Sequence, residues 1–171
     1  MTPLRVLVWI VEGTWRGCVD AATEFLPAEA EITLIHVIPA EVPEAAEAAA
    51  FGLWGRRQVN RDAGERMQAA AEEAALDLLT AAEAQLGRKT SRVSRRGRVE
   101  QEMVAAAEGI DLLVVARDGD RSRLGPRSLG PATRFVVDHA PCAVLLVWPE
   151  ETPEVSSIPP LPARPLSPPR P

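Results

Sequence analysis

GIDLLVVARDG, residues 109–119, and HAPCAVLLV, residues 139–147, are the two stretches that decide the fold. Each contains a short, nearly continuous apolar run, which is typical of a strand covered on both faces. Between them, Pro131–His139 has the composition of a short helix that begins at a proline. This order predicts two buried parallel strands that are joined by a crossover helix.

The same alternation of strands and helices extends to the amino terminus. Two further apolar runs, VLVWIV at 6–11 and ITLIHVI at 32–38, predict strands, and the Thr- and Ser-containing run 88–98 predicts a fifth. Apolar residues recur at helical spacing at 15–26, at 57–86 and after Val99. The pattern predicts a three-layer, doubly wound (Rossmann-like) α/β domain over residues 1–148, with five parallel strands and about four helices. In such a sheet the ligand crevice lies at the carboxyl ends of the strands.

Residues 149–171 differ in character, because nine of these 23 residues are proline. A segment with so few backbone donors and so little apolar surface is predicted to be an extended, disordered tail. Its PxxP spacings, such as Pro159–Pro162, suit a polyproline helix that the aromatic groove of a partner protein could bind. The favoured alternative is a tail that only aids solubility.

The composition argues against several classes of protein. The net charge of -5 provides no positive field for nucleic acid. The sequence has two cysteines and no CxxC motif, so no metal site is predicted. No apolar run approaches the ~20 residues that span a bilayer, and we expect a cytoplasmic protein without membrane association. His36 and His139 are interpreted as structural, so no catalytic residue is predicted.

The run RKTSRVSRRGR, residues 88–98, contains six basic residues and no acidic one. It could bind anions or nucleic acid, but no aromatic residue is interleaved with the arginines to stack on bases. We favour an edge strand, where charged side chains discourage pairing between sheets of different molecules.

The opening stretches, together with VLVWIVEGT at 6–14 and ITLIHVIPA at 32–40, resemble the universal stress protein family over roughly residues 4–148. The resemblance implies an adenine nucleotide alpha-hydrolase-like fold and a nucleotide motif of glycine, two residues, glycine, nine residues, then glycine and Ser or Thr. Here Ala116 stands at the first glycine, Gly119 at the second, Gly130 at the third and Pro131 at the hydroxyl position. Ten residues separate the last two glycines, and Pro131 offers neither a hydroxyl nor an N–H group.

The resemblance therefore implies ATP as the possible ligand of a degraded motif. The acidic residue that follows the first strand in ATP-binding members falls on Val11, or on Glu12 after one insertion. The candidate ligand-binding residues are Val11, Glu12, Gly13, Val37, Ala116, Arg117, Gly119, Gly130 and Pro131. Arg117, Arg121, Arg123 and Arg127 could hold phosphates in place of the lost donors. The favoured alternative is an ordinary solvated loop.

The leading hypothesis is a regulatory or stress-response binding module and not an enzyme. The resemblance implies a homodimer through the last strand, Ala143 to Trp148, with Trp148 near the interface. One alternative is an ATP-binding member with nucleotide-gated signalling or slow hydrolysis. Another is an enzyme of a related nucleotide-binding superfamily, but the sequence has no Ser-Gly-Gly loop and no His-x-x-His motif.

Overall fold

The computed structural model describes residues 2–40 and 57–160. Five strands and four helices of more than one turn alternate along these residues. They are β1 (Arg5–Trp9), α1 (Trp15–Phe25), β2 (Glu31–Pro39), α2 (Arg57–Leu86), β3 (Ser91–Gly97), α3 (Val99–Ala106), β4 (Leu112–Ala116), α4 (Pro131–His139) and β5 (Ala143–Val147). Single 3-10 turns occupy Pro126–Ser128 and Val155–Ser157.

The five strands form one parallel sheet in the order β3-β2-β1-β4-β5. This confirms the predicted doubly wound fold, and the bounds of α2 and α4 agree with the helical patterns in the sequence. The direction of winding reverses between β1 and β4, so the predicted crevice lies where the loops that follow these two strands leave the sheet.

Each face of the sheet is covered by two helices, and this explains why the strands are continuous apolar runs. Alternate residues of β1 enter different cores: Val6 and Val8 pack with α1 and α2, whereas Leu7 and Trp9 pack with α3 and α4. Side chains of a strand alternate between faces, so a strand with two covered faces needs apolar residues at every position.

The basic run 88–98 contributes the edge strand β3, as predicted. Its arginines do not form a free positive surface, because glutamates nearby pair with them. The pairs are Arg92–Glu83 (3.4 Å), Arg95–Glu102 (3.5 Å), Arg96–Glu72 (3.6 Å) and Arg98–Glu100 (2.8 Å). Glutamates of the two neighbouring helices thus pair with four of the six basic residues of the run.

Residues 149–160 are the first part of the predicted tail, and the structure describes them. These residues follow β5 back onto the domain, where the hydroxyl of Ser157 accepts the backbone N–H of Leu124 at 3.0 Å. Proline removes backbone donors but does not prevent a segment from contacting a folded surface through side chains and carbonyl groups. Residues 161–171 lie outside the described part of the chain.

Among the described residues, no helix has the length and apolar character needed to cross a membrane. Over the same ranges, no three His, Cys, Asp or Glu residues are grouped so that they could hold a metal ion. Both cysteines are free thiols, with Cys18 buried in the core and Cys142 half-buried.

Candidate functional site

The loops after β1, β2 and β4 leave the carboxyl edge of the sheet side by side. Ile10 donates its N–H to the carbonyl of Ile35 at 2.8 Å, and the Nδ1 atom of His36 lies 2.8 Å from the carbonyl oxygen of Ile10. On the other side, Arg117 donates its N–H to the carbonyl of Val147 at 2.9 Å. These hydrogen bonds continue the sheet by one residue and bring the predicted site residues to one edge.

The turn between β1 and α1 is held by a single carbonyl group. The oxygen of Val11 accepts the N–H groups of Thr14 at 3.1 Å and Trp15 at 2.9 Å. Gly13 has φ +81°, a conformation that side chains with a Cβ rarely adopt, which explains the glycine here. Glu12 and Gly13 are exposed at this edge, whereas Val11 packs partly against the core between the sheet and α3 and α4.

Two predicted ligand residues belong to the core instead of an open surface. Val37 is 4% exposed and packs on the face that α3 and α4 cover. Ala116, the last residue of β4, is 7% exposed and packs on the opposite face. The structure therefore gives their side chains a packing role. A sequence pattern places a residue near the end of a strand, but it does not decide which face the side chain occupies.

The loop from Arg117 to Gly130 folds back on itself at the second motif glycine. Gly119 donates its N–H to the carbonyl of Ser128 at 2.9 Å, and Asp120 donates to that of Arg127 at 2.8 Å. A Cβ at Gly119 would overlap the Arg127 carbonyl oxygen and would lie 2.9 Å from the Ser128 carbonyl carbon. The absence of a side chain at Gly119 thus allows close approach of the chain itself.

Gly130, at the third glycine position of the motif, directly precedes helix α4. A carboxylate of the same chain lies against its N–H group. The carboxylate of Asp118 accepts the N–H of Gly130 at 2.7 Å. A Cβ at Gly130 would come within 2.9 Å of both Asp118 carboxylate oxygens. A helix amino terminus attracts anions because its N–H groups are free and its dipole is positive there. Pro131 begins α4 and contributes no N–H group.

The arginines of this loop contact groups of the protein itself. Arg117 donates to the hydroxyl of the buried Ser128, and its guanidinium lies 4.7 Å from the ring centroid of Trp148. Arg121 Nη1 lies 3.5 Å from Glu150 Oε1, an ion pair without a hydrogen bond. Both arginines thus pack partly against the protein, and Arg117 Nε and Arg121 Nη1 are buried without a hydrogen-bond partner among the described residues.

The aspartate that follows Gly119 stabilises the turn. Asp120 accepts hydrogen bonds from the N–H and the hydroxyl of Ser122, at 3.1 and 2.6 Å, and its carboxylate lies 3.5 Å from Arg123 Nε. The hydrogen bonds from Ser122, with a smaller contribution from Arg123, lower the pKa of Asp120 below its ordinary value. The negative charge of Asp120 is therefore stabilised by groups of the loop itself.

The sequence patterns missed Asp118, Ser128 and the contacts made by 148–157. Asp118 lies between two motif positions, where a phosphate ligand would approach. A carboxylate at that place could have been recognised from the sequence as a group that competes with phosphate. Ser128 is wholly buried and polar, yet nothing in a loop of mixed charges distinguishes it beforehand.

Comparison with known proteins gives one family. The model of the universal stress protein family matches residues 16–147. The solved structure of UspA from Lactobacillus plantarum is 19% identical, with a TM-score of 0.55, over 86% of this chain and 99% of that chain. The hypothetical protein MJ0577 is also 19% identical, with a TM-score of 0.54, over 89% of this chain and 100% of that chain.

A third solved structure is a universal stress protein in complex with cAMP. It is 18% identical, with a TM-score of 0.52, over 88% of this chain and 100% of that chain. At these identities the structures show the shared fold. No curated protein sequence matches the chain.

Proposed function

Because the chain belongs to the universal stress protein family, we propose that it is a dimeric regulatory module that does not use ATP. Its own side chains occupy the position that a nucleotide phosphate would need. We also propose that the protein is cytoplasmic and that it is not an enzyme.

The observation that carries the proposal is the hydrogen bond from the Gly130 N–H to Asp118. A phosphate that approached this helix amino terminus would have to displace the carboxylate and then remain beside its negative charge. The nearby N–H groups of Gly119 and Asp120 already bind carbonyls of the same loop. Pro131 removes one more donor at the start of α4.

The relative in complex with cAMP shows that this fold can accept a nucleotide in another protein. For the present chain, a nucleotide-gated alternative requires Gly130 to exchange Asp118 for a phosphate. To serve as the compensating cation, Arg117 or Arg121 would have to give up part of its contacts with Ser128, Trp148 and Glu150.

Strand β5 supports the dimer. It lies at the edge of the sheet and, among the described residues, pairs with β4 alone. Val144, Leu145, Leu146 and Val147 are only half-buried. An apolar edge strand with unpaired backbone groups invites another strand to pair with it. A second copy of this chain would cover both the apolar side chains and the free backbone edge.

The first test is a calorimetric titration of the full chain with ATP and Mg²⁺. We expect no saturable binding, and a micromolar or tighter dissociation constant would overturn the proposal. Native mass spectrometry of the same sample is expected to give the dimer mass without a nucleotide. A monomer that carries stoichiometric ATP would contradict both parts.

Two matched variants test the role that we assign to the carboxylate. Asp118→Ser and Asp120→Ser remove the same charge from the same loop, but only the first empties the position beside Gly130. We expect Asp118→Ser to bind ATP more tightly than Asp120→Ser does. Equal affinities would show that Asp118 does not exclude the nucleotide.

A further inference from the structure

Residues 148–160, which we name the C-terminal strap, contact the loop 117–130 at three successive points. Trp148 stacks against Arg117, Glu150 lies beside Arg121, and Ser157 accepts a hydrogen bond from Leu124. The strap thus runs along the loop that contains Asp118. Contacts in the same order on both segments indicate an extended interface.

The first part of the strap also contacts the first turn of α1. A Cβ at Gly17 would lie 2.5 Å from the Cα of Pro149 and 3.1 Å from the carbonyl oxygen of Trp148. The backbone of the strap therefore rests directly on the backbone of the helix. Since α1 follows β1 and the loop follows β4, the strap joins the elements on the two sides of the point where winding reverses.

The far end of the strap is oriented by its own 3-10 turn. The hydroxyl of Ser157 donates to the carbonyl of Glu154 at 2.6 Å, which leaves its lone pairs for the N–H of Leu124 at 3.0 Å. Ser157 also donates its N–H to the carbonyl of Glu154 at 2.9 Å. The acceptor for Leu124 is therefore fixed by two local hydrogen bonds and does not depend on a free rotor.

Beyond Pro149 the strap buries little apolar surface, so residues 150–160 can be released without unfolding the domain. Val155 is 75% exposed and Ile158 is 53% exposed, and Glu150 and Arg121 form an ion pair at the surface. Segments with few buried contacts open at a low cost in free energy, whereas the sheet opens only in global unfolding.

We propose that the C-terminal strap is a latch. It holds the loop 117–130 in the conformation in which the Asp118 carboxylate accepts the hydrogen bond from the Gly130 N–H. This inference rests on the proposed function, because it concerns the regulation of the same anion position. The contacts at Arg117 and Arg121 lie on either side of Asp118, so the strap restrains both ends of the segment that carries the carboxylate. Release of the strap frees Asp118 to leave Gly130.

The test is the amide exchange rate of Gly130, measured by NMR in the full chain. The double variant Glu150→Gln, Ser157→Ala removes the two polar contacts of the strap. Its matched control is Glu151→Gln, Ser156→Ala, which changes the adjacent residues of the same types, both exposed.

We expect the Gly130 amide to exchange about tenfold faster in the first variant and at the wild-type rate in the control. Exchange at β1 should be equal in all three proteins, which shows that the domain remains folded. Leu124 will exchange faster in any case, because its acceptor has been removed. An unchanged rate at Gly130 therefore overturns the latch. Failure of the proposed function is distinguishable, because it is detected as ATP binding by the unaltered chain.

Discussion

Gly17 provides the sharpest test of how firmly the strap rests on the domain. It lies in the first turn of α1, where alanine would ordinarily favour the helix by about 1 kcal/mol because it restricts the unfolded chain. Here the methyl group would stand 2.5 Å from Pro149 Cα and 3.2 Å from the Pro149 carbonyl carbon. Both are backbone atoms, so no side-chain rotation can relieve the overlap.

The expected change in the free energy of unfolding depends on whether the strap stays in place or moves away. If the strap stays in place, overpacking costs about 1–3 kcal/mol and outweighs the gain in helix propensity. If the strap moves away, it loses the hydrogen bond at Leu124, worth about 1 kcal/mol, and the stacking of Trp148 on Arg117, worth about 0.5–1 kcal/mol. The surface ion pair contributes little. We therefore expect Gly17→Ala to leave the free energy of unfolding unchanged or to lower it by up to about 2 kcal/mol.

The control is Gly64→Ala in α2, where a Cβ would meet no atom within 4 Å. This variant should gain about 1 kcal/mol from helix propensity alone. Both free energies are measured by urea unfolding at equilibrium, with the slopes compared to verify two-state behaviour. If Gly17→Ala is stabilised as much as Gly64→Ala, Pro149 does not rest on α1 and the strap is only loosely placed.

Two further predictions concern ionisable groups. Hydrogen bonds from the side chain and the backbone N–H of Arg5 lower the pKa of Asp111, so their contribution to stability is present at neutral pH and is lost as the pH falls through that pKa. Asp111→Asn should therefore lose fewer degrees of melting temperature between pH 7 and about pH 3 than the wild type does; equal losses would contradict this. Burial raises the pKa of Cys18 to about 12. In native Cys142→Ser protein no thiol should react with Ellman's reagent at pH 8 until guanidinium unfolds the chain, and rapid labelling before unfolding would show that Cys18 is accessible.

The fold could be predicted from the sequence because it depends on patterns that are local. β4 and β5 are short apolar runs, and α2 and α4 have helical spacing and a proline at the first position of α4. Each pattern is repeated over a whole element, so one ambiguous residue does not change the result.

The site could be predicted only in outline, because single contacts between distant residues determine it. Asp118 meets Gly130 across 12 positions, and Leu124 meets Ser157 across 33. Periodicity carries no information about such pairs. The proline content of 149–171 likewise describes the backbone donors of the segment and gives no information about the surface on which residues 149–160 lie.

Under the proposed function, the departures from the family motif have one physical explanation. A loop that must receive phosphate needs free N–H groups, whereas a loop that supplies its own carboxylate needs only small residues where its segments cross. A Cβ at Gly119 would overlap the Arg127 carbonyl oxygen, and a Cβ at Gly130 would crowd the Asp118 carboxylate. Pro131, which has no N–H to offer, costs this loop nothing, because Asp118 already satisfies the neighbouring donor. Under the proposed function, Pro131 thus stands where a ligand would need an N–H group, and Gly119 and Gly130 stand where the loop packs closely on itself.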